Sequence, residues 1–469
     1  MKILLIRNDE PGFSAETNIT GIYPPLGLAY IASVLRKSGY QVTFLDNRIS
    51  CFKNNQFKNE IKNISPDVVL LSAMTSSWPG LIKLSRFIKE VSAHIVIGVG
   101  GPHLTAYPIE ALSHESFDFG IYGEGENTIL EALNSLKEGR TLEGVRGCSF
   151  RQDGGVMVNS PREEINDLDS IPFPAIDLLP YKRYIALSVE NPYFTMVTSR
   201  GCPYGCKFCF QGYLGRYRAR SAENVVKEME MLVKEYGIRE IITFDETFGI
   251  EEERALKICG LIQEKGLRFK WDVRTRIDLI NEKMLRSLRS AGCRRIHLGI
   301  ESGNQNILSI MDKKINVAEI ADKVKLAKEF GFELRGYFML AYPGDTRKEM
   351  HKTIEFAKSL PLDWASFTVT IGLPGTEIYQ EALISKRFPI DYWKEYTKGN
   401  VMGSKPYFIP DGMREKDLFK LKKNAYLEFY LRPRIVLNIL RNLGLIRTID
   451  NFRVFLRLMP SICHSITGV

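Results

Sequence analysis

No stretch of about 18 uncharged apolar residues occurs in this 469-residue chain, so nothing in it reads as a helix that crosses a membrane. The opening Met1-Lys2-Ile3-Leu4-Leu5-Ile6-Arg7-Asn8-Asp9 holds an apolar run too short for a secretion signal and soon meets an acid, so a cytoplasmic location is expected. Low-complexity segments and solenoid-type repeats are also missing, which leaves ordinary globular domains. Cysteine is scarce, eight residues in all, yet Cys202, Cys206 and Cys209 crowd into one short stretch. In a cytosolic chain such crowding points to metal or redox chemistry rather than to disulfides. Acid is short only towards the far end. The chain carries a formal charge of +9, and from Asp411 to Val469 eleven Lys/Arg stand against five Asp/Glu, a net of +6. The remainder is nearly balanced, which argues against nucleic acid as a partner.

The overall balance of 44% hydrophobic and 25% charged residues is that of a globular protein, and domains of roughly 100–200 residues predict two or three of them. Short apolar strands at Ile3–Ile6, Val42–Leu45, Val68–Leu71, Ile95–Val99 and Phe117–Ile121 alternate with helical stretches at Leu26–Lys37, Trp78–Val91, Ile109–Leu112 and Asn127–Leu136. Near-continuous apolar strands in that alternation predict an α/β domain with a doubly wound parallel sheet, flavodoxin-like, over residues 1–140. Ligands of such sheets sit beyond the strand carboxyl ends. Those ends are Ser72-Ala73-Met74-Thr75-Ser76, Gly98-Val99-Gly100-Gly101-Pro102-His103 and Tyr122-Gly123-Glu124-Gly125-Glu126.

Residues 141–190 read as a linker. Asp153-Gly154-Gly155 suggests a hairpin turn, and Ile171-Pro172-Phe173-Pro174 cannot be helical. A second alternation fills 191–400. Its strands are Thr195–Thr198, Ile241–Phe244, Phe269–Val273, Arg295–Ile300, Glu333–Leu340 and Ala365–Thr370. Its helices include Ala222–Tyr236, Glu251–Glu264, Asn281–Ala291, Val317–Phe330 and Thr346–Ser359. Six β–α units predict a partial barrel of TIM type with its active site at the strand carboxyl ends. Residues 401–469 read as a basic helical extension. Within Tyr426–Met459, Arg432, Arg434, Arg441, Arg447, Arg453 and Arg457 interleave with apolar residues, and Ile435, Ile439, Leu443 and Ile446 recur at helical spacing. Packing on the barrel is one reading of this tail. Peripheral contact with an anionic membrane is another.

The segment Ser199-Arg200-Gly201-Cys202-Pro203-Tyr204-Gly205-Cys206-Lys207-Phe208-Cys209 follows the first barrel strand. Its spacing lets one loop wrap three corners of an iron–sulfur cubane and leave one iron open. A structural zinc site needs four ligands, and the next cysteines, Cys259 and Cys293, lie far along the chain. Cys-x3-Cys-x2-Cys in this setting resembles the radical S-adenosylmethionine superfamily, with Phe208 as the aromatic usual before the third cysteine. Nearly the whole chain resembles the subfamily that carries an N-terminal cobalamin-binding domain. The likeness rests on Pro24-Pro25-Leu26-Gly27-Leu28, Gly100-Gly101-Pro102-His103, Gly123-Glu124-Gly125-Glu126, Phe244-Asp245-Glu246-Thr247-Phe248, Arg276-Ile277-Asp278, Gly299-Ile300-Glu301-Ser302-Gly303, Gly336-Tyr337-Phe338-Met339 and Leu373-Pro374-Gly375-Thr376. Two strings depart from the subfamily pattern. Asp245-Glu246 stands where two aspartates are frequent, and Ala341-Tyr342-Pro343-Gly344 where Gly-Leu-Pro-Gly is frequent.

The resemblance implies a [4Fe–4S] cluster on Cys202, Cys206 and Cys209, with S-adenosylmethionine on the open iron. Asp245 and Glu246 would face its amino group, Arg276 and Asp278 its carboxylate or ribose, Glu301 its ribose, with Phe208 alongside. For each acid the plain alternative is a helix cap or a rim ion pair. Ser72, Met74, Thr75, Gly100, Gly101, Gly123 and Glu124 would line a cobalamin site. No Asp-x-His-x-x-Gly string follows the first strand, so no protein histidine on cobalt is implied. His103 stands in the cobalamin loop, with a structural or supporting role the plainer reading. The implied activity is methyl transfer to an unactivated carbon of a small-molecule or lipid-like substrate, through a 5′-deoxyadenosyl radical and methylcobalamin. The alternatives are an oxidative cyclase like that of anaerobic chlorophyll synthesis, and a non-catalytic cobalamin or cluster sensor. A methylthiotransferase is disfavoured because the first domain has only Cys51, with Cys148 in the linker. A low-potential donor such as flavodoxin or ferredoxin would supply electrons.

Overall fold

A computed structural model of the chain describes residues 1–7, 21–186, 188–210, 215–400 and 404–437. They fall into two compact units. One holds the described residues of Met1–Ala186 together with 390–400. The other holds those of Leu187–Pro389 with 404–437.

The first unit is built on seven strands, β1 (Lys2–Arg7), β2 (Gln41–Asp46), β3 (Val68–Ser72), β4 (Val96–Gly100), β5 (Phe119–Ile121), β6 (Cys148–Gln152) and β7 (Gly155–Val158). Their order is β2-β1-β3-β4-β5-β6-β7, with β1 to β5 parallel and the last two antiparallel. This is the flavodoxin-like order with an added hairpin. Ile3, Leu4, Leu5 and Ile6 are all buried, as a strand covered on both faces requires. Asp153 and Gly154 both take positive φ, 51° and 79°, which is the two-residue turn that matches strand twist.

That hairpin extends the first sheet and the unit runs on to Ala186, so much of the stretch read as a linker is part of this unit. Residues 390–400 also belong to it rather than to the barrel. Their helix, Tyr392–Thr397, is tied to it by Trp78 Nε1 donating to the Thr397 carbonyl at 2.9 Å and by the Tyr396 hydroxyl donating to the Thr75 carbonyl at 3.0 Å. The helix Asn54–Ile64 was not expected. It buries only Phe57 and Ile61, too few apolar positions to show a period.

The second unit opens with β8 (Tyr193–Met196) and a small antiparallel pair, β9 (Ser199–Arg200) with β10 (Arg218–Ala219). It continues with β11 (Glu240–Thr243), β12 (Lys270–Thr275), β13 (Cys293–Glu301), β14 (Glu333–Leu340) and β15 (Trp364–Val369). The six-stranded sheet is parallel, in the order β15-β14-β13-β12-β11-β8. Strands alternate with helices as expected, and several of the helices are started by a side-chain cap. Ser221 receives Asn224 N–H, Asn281 receives Met284 N–H, and Thr346 pairs reciprocally with Glu349.

A sheet of six parallel strands leaves β15 as an unpaired edge. The helix Glu415–Tyr430 covers it with two tyrosines: the Tyr430 hydroxyl donates to the Ala365 carbonyl at 2.8 Å, and the Tyr426 hydroxyl receives Phe367 N–H at 3.2 Å. Tyr430→Phe and Tyr426→Phe are each expected to lower stability by about 1 kcal/mol, read by denaturant unfolding. No helix among the described residues is long and apolar enough to cross a membrane. The tail beyond residue 437, with Arg441, Arg447, Arg453 and Arg457, lies outside the described residues.

Candidate active site

The three-cysteine loop leaves the barrel at the carboxyl end of β8 and is braced before its first cysteine. Asp245, at the end of β11 and buried, accepts hydrogen bonds from Thr198 N–H at 2.6 Å, the Thr198 hydroxyl and the Ser199 hydroxyl at 3.0 Å. Arg254 donates to the Thr198 carbonyl at 2.6 Å and the Arg220 carbonyl at 2.9 Å. Gly201 then turns the chain with φ +82°, and a β-carbon there would lie 2.0 Å from the Arg216 carbonyl oxygen. Gly201→Ala is therefore expected to strain this loop by about 1–3 kcal/mol at least and to lower the iron retained after reconstitution, measured by metal analysis.

Past that turn, Cys206 is buried and Cys202 Sγ lies 3.7 Å from the Thr247 hydroxyl. Lys207 fixes the loop from outside, with Nζ 2.7 Å from Glu377 and 2.9 Å from Glu381 and its N–H on the Met311 carbonyl at 3.1 Å.

Cations face the thiols. Arg276, just past β12, lies 3.8 Å over the Tyr204 ring, with Nη1 3.9 Å from Cys206 Sγ and Nη2 donating to the Lys313 carbonyl at 2.6 Å. Asp278 grips the same guanidinium at 3.0 and 3.1 Å. Lys313 Nζ is 2.9 Å from Glu301 and 5.7 Å from the Phe208 ring centroid; both charged groups are buried. Burial raises the Cys206 thiol, while Lys313 and Arg276 pull it down. Burial with Cys206 alongside pushes Cys209 up to about 12, again opposed by Lys313. Positive charge thus faces the Cys206 thiol and favours its thiolate, the form in which a cysteine binds metal.

Glu301 closes β13 with φ 68°, a left-handed glutamate next to a shift in the β13–β14 register. Such strain at a non-glycine residue is characteristic of functional sites. Ala341 follows β14 with φ 61°, so the alanine that replaces the subfamily's usual glycine adopts a backbone that glycine takes freely. Glu246 keeps contact with solvent but stands in a crowded recess. Lost solvation, with Asp245 adjacent, raises its carboxyl to about 7 against its own N–H, Arg200 and the Gly201 N–H.

Of the expected group, Arg276, Asp278, Glu301 and Phe208 come together around the thiols, and Glu246 opens to the recess. Both oxygens of Asp245 are occupied in bracing the loop. Lys313 was missed: it lies 12 positions beyond Glu301 in an irregular stretch, where no periodicity marks it.

In the first unit the expected cobalamin residues gather at the carboxyl ends of β3, β4 and β5. The two loops pass closely, Ala73 N–H donating to the Gly100 carbonyl at 2.7 Å. A β-carbon on Gly101, where φ is +103°, would lie 2.8 Å from the Ala73 carbonyl oxygen and 3.1 Å from Ser72 Oγ. Met74 is 55% exposed, and a β-carbon on Gly123 would meet nothing within 4 Å. This gives a rim of small residues and exposed apolar surface, suited to a broad apolar ring. Glu124 accepts Ile165 N–H at 2.6 Å. His103 is fully buried, with Thr75 Oγ1 3.2 Å from Nδ1 and Thr397 Oγ1 3.1 Å from Nε2. Burial holds its ring down to about 3, an uncharged brace between two threonines.

Among the described residues no three His, Cys, Asp or Glu side chains converge as ligands of a single metal ion. Three free thiols within eight residues of one loop are the donor type that iron–sulfur clusters take. Fold and site together define a barrel enzyme with a three-thiol loop, joined to a doubly wound domain with an open strand-end rim.

Comparisons with known proteins agree. The model of the radical SAM superfamily matches residues 196–357, and that of the B12 binding domain matches residues 16–133. An uncharacterised methyltransferase of Pyrococcus horikoshii is 35% identical over 442 residues, 93% of this chain and 94% of its own length. The anaerobic magnesium-protoporphyrin IX monomethyl ester cyclase of Rubrivivax gelatinosus is 28% identical, over 92% of this chain and 78% of its own. The radical S-adenosylmethionine methyltransferase TsrM from Kitasatospora setae, solved with cobalamin and a [4Fe–4S] cluster, shares the fold. Its TM-score is 0.69 at 18% identity, over 82% of this chain and 78% of its own. The chain belongs to the radical S-adenosylmethionine enzymes that carry a B12-binding domain.

Proposed function

We propose that this enzyme is a methyltransferase acting on an unactivated carbon of a small-molecule substrate, with a low-potential flavodoxin or ferredoxin as its electron donor. The observation that carries the reading is the three-thiol loop faced by Arg276 and the Lys313–Glu301 pair, in a chain related along almost its whole length to a protein named as a methyltransferase. When bound, the cluster and S-adenosylmethionine supply a carbon-centred radical that removes a substrate hydrogen, and cobalamin supplies the methyl group.

In this reading Cys202, Cys206 and Cys209 are the cluster ligands. Arg276, held by Asp278, positions Cys206 and Tyr204. Glu246 is the acid open to an ammonium group, Asp245 keeps the loop in place behind it, and Glu301 with Lys313 forms the polar wall beside Phe208. Ser72, Met74, Thr75, Gly100, Gly101, Gly123 and Glu124 line the cobalamin rim, with His103 bracing Thr75. A cytoplasmic location is supported by the unpaired thiols of all seven described cysteines, three of them deep in hydrophobic surroundings at Cys148, Cys259 and Cys293.

The second reading, an oxidative cyclase, is favoured by the 28% identity to the Rubrivivax enzyme. S-adenosylmethionine with a trideuterated methyl group separates the two. A methyltransferase puts labelled carbon into the product. Turnover that forms 5′-deoxyadenosine with no labelled carbon gained would favour the cyclase.

A further inference from the structure

The barrel lumen is layered by strand register. One row runs Asp272, Arg295 and Glu333 across β12, β13 and β14. The next row towards the strand carboxyl ends runs Arg274, His297, Arg335 and Trp364 across β12 to β15. A third places Gly299 beside Tyr337.

The first row is closed on itself. Arg295 pairs with Glu333 at 2.9 Å and lies 3.8 Å from Glu240, which Arg294 meets at 3.0 Å. Asp272 receives Thr243 N–H at 2.9 Å and lies 3.2 Å from His297 Nε2.

The second row is not closed. The Arg274 guanidinium lies 3.8 Å over the Phe244 ring, and that of Arg335 lies 5.6 Å over Trp364. Among the described residues neither makes an ion pair or a hydrogen bond. Between them His297 is committed, with Nε2 facing Asp272 and Nδ1 2.8 Å from the Tyr337 hydroxyl. Burial holds its ring down to about 4, so it adds no charge at neutral pH. Two cations therefore flank a neutral ring, and the nearby acids Asp272, Glu333 and Glu240 already have partners.

The surroundings leave room. Along β14, Arg335, Tyr337 and Met339 are half-buried and alternate with fully buried Leu334, Gly336, Phe338 and Leu340; on β15, Thr368 is exposed. A closed barrel of this type fills its lumen with side chains, whereas this face stays accessible. Stacking on an aromatic ring fixes a guanidinium plane and leaves its edge donors, up to five N–H groups, pointing elsewhere. Two strands apart, the Arg274 and Arg335 backbones are separated by about 10 Å, within reach of two arginine side chains that turn from their rings towards one oxyanion. The Glu301–Lys313 pair folds over Gly299 one row above, about 7 Å along the strands, since a β-carbon on Gly299 would lie 2.6 Å from Glu301 Oε1 and 3.0 Å from Lys313 Nζ.

We propose that Arg274 and Arg335 form an anion subsite in the barrel lumen that takes a carboxylate or phosphate group of the substrate. This deepens the proposed function and rests on the barrel being the substrate-binding unit of a small-molecule enzyme. It makes that substrate an organic acid or a phosphorylated compound, anchored one row beneath the wall that faces the cysteines.

The test uses the full chain with its cluster reconstituted, and it needs no turnover, so it is separate from the methyl-label experiment. Benzoate, its neutral counterpart benzamide, and inorganic phosphate are titrated calorimetrically into the wild type, Arg274→Gln, Arg335→Gln and the double variant. Binding of S-adenosylmethionine is measured in parallel. Benzoate or phosphate is expected to bind the wild type at least tenfold tighter than benzamide, to lose at least tenfold in the double variant, and to be partly restored by Arg274→Lys and Arg335→Lys. Affinity for S-adenosylmethionine should stay within about twofold. Absence of saturable anion binding to the wild type, or equal binding by the double variant, would overturn the proposal. So would a parallel loss of S-adenosylmethionine affinity, which would assign the arginines to the cofactor's own carboxylate. Should a glutamine variant fail to fold, the lysine variants carry the test: they keep the charge but lose the two-pronged donor geometry, and unchanged anion affinity in both would likewise overturn the subsite.

Discussion

Alanine at Cys202, Cys206 or Cys209 is expected to abolish reductive cleavage of S-adenosylmethionine. In the proposed reading each thiolate would hold one corner of the cluster, and the described residues around the loop offer no substitute. Cys206 and Cys209 are surrounded by Arg276, Lys313, Glu301, Tyr342 and Phe208, none of which is a soft ligand for iron. The effect should be all-or-none in activity and graded in iron: single variants hold less cluster, and the triple variant none. Cys51→Ala, Cys148→Ala, Cys259→Ala and Cys293→Ala should load normally, since Cys148, Cys259 and Cys293 are buried apart from the loop and Cys51 is exposed in the first unit. The readouts are iron and sulfide content, the visible absorbance of the reconstituted protein, and 5′-deoxyadenosine formed with dithionite. Full iron incorporation by the triple variant would overturn the assignment.

The second large effect is expected at Lys313. Its ammonium and the Glu301 carboxylate are both buried and lie 2.9 Å apart. Removing one member of such a pair leaves an uncompensated charge, which costs about 3–5 kcal/mol. Lys313→Met should destabilise the barrel by that amount, lowering Tm by roughly 10 °C in a unit of this size. Adding Glu301→Gln to Lys313→Met should recover most of the stability, because the orphaned charge is gone, but not the activity. A double variant as unstable as the single would show that packing rather than charge dominates there.

Much of this architecture was legible from residue order. The run Ile3-Leu4-Leu5-Ile6 reads as a strand buried on both faces and is one, and Trp78–Val91 reads as a helix with the same bounds. The Cys-x3-Cys-x2-Cys loop after the first barrel strand was equally plain, because its chemistry is local.

What escaped depends on distant pairing. Asp245 lies at the expected strand end, yet its role in holding Thr198 and Ser199 arises from β8 running beside β11. Lys313 meets Glu301 where β13 ends in a left-handed residue beside a register shift. The row of Arg274, His297 and Arg335 depends on another shift, between Trp271 and Asp272, that no periodicity announces. Residues 390–400 look like a barrel end in sequence. Their place in the first unit comes from Trp393 and Tyr396, both buried there, and from Thr397 reaching His103 and His114.

The measurement that bears most directly on the account is a count of the two co-products of S-adenosylmethionine during turnover under anaerobic conditions, with cobalamin and a low-potential reductant present. The proposed reaction spends one molecule on hydrogen abstraction and one on restoring the methyl donor. The account predicts 5′-deoxyadenosine and S-adenosylhomocysteine in near-equal amounts, each in step with methylated product. Product formed with 5′-deoxyadenosine alone, and no matching S-adenosylhomocysteine, would contradict it.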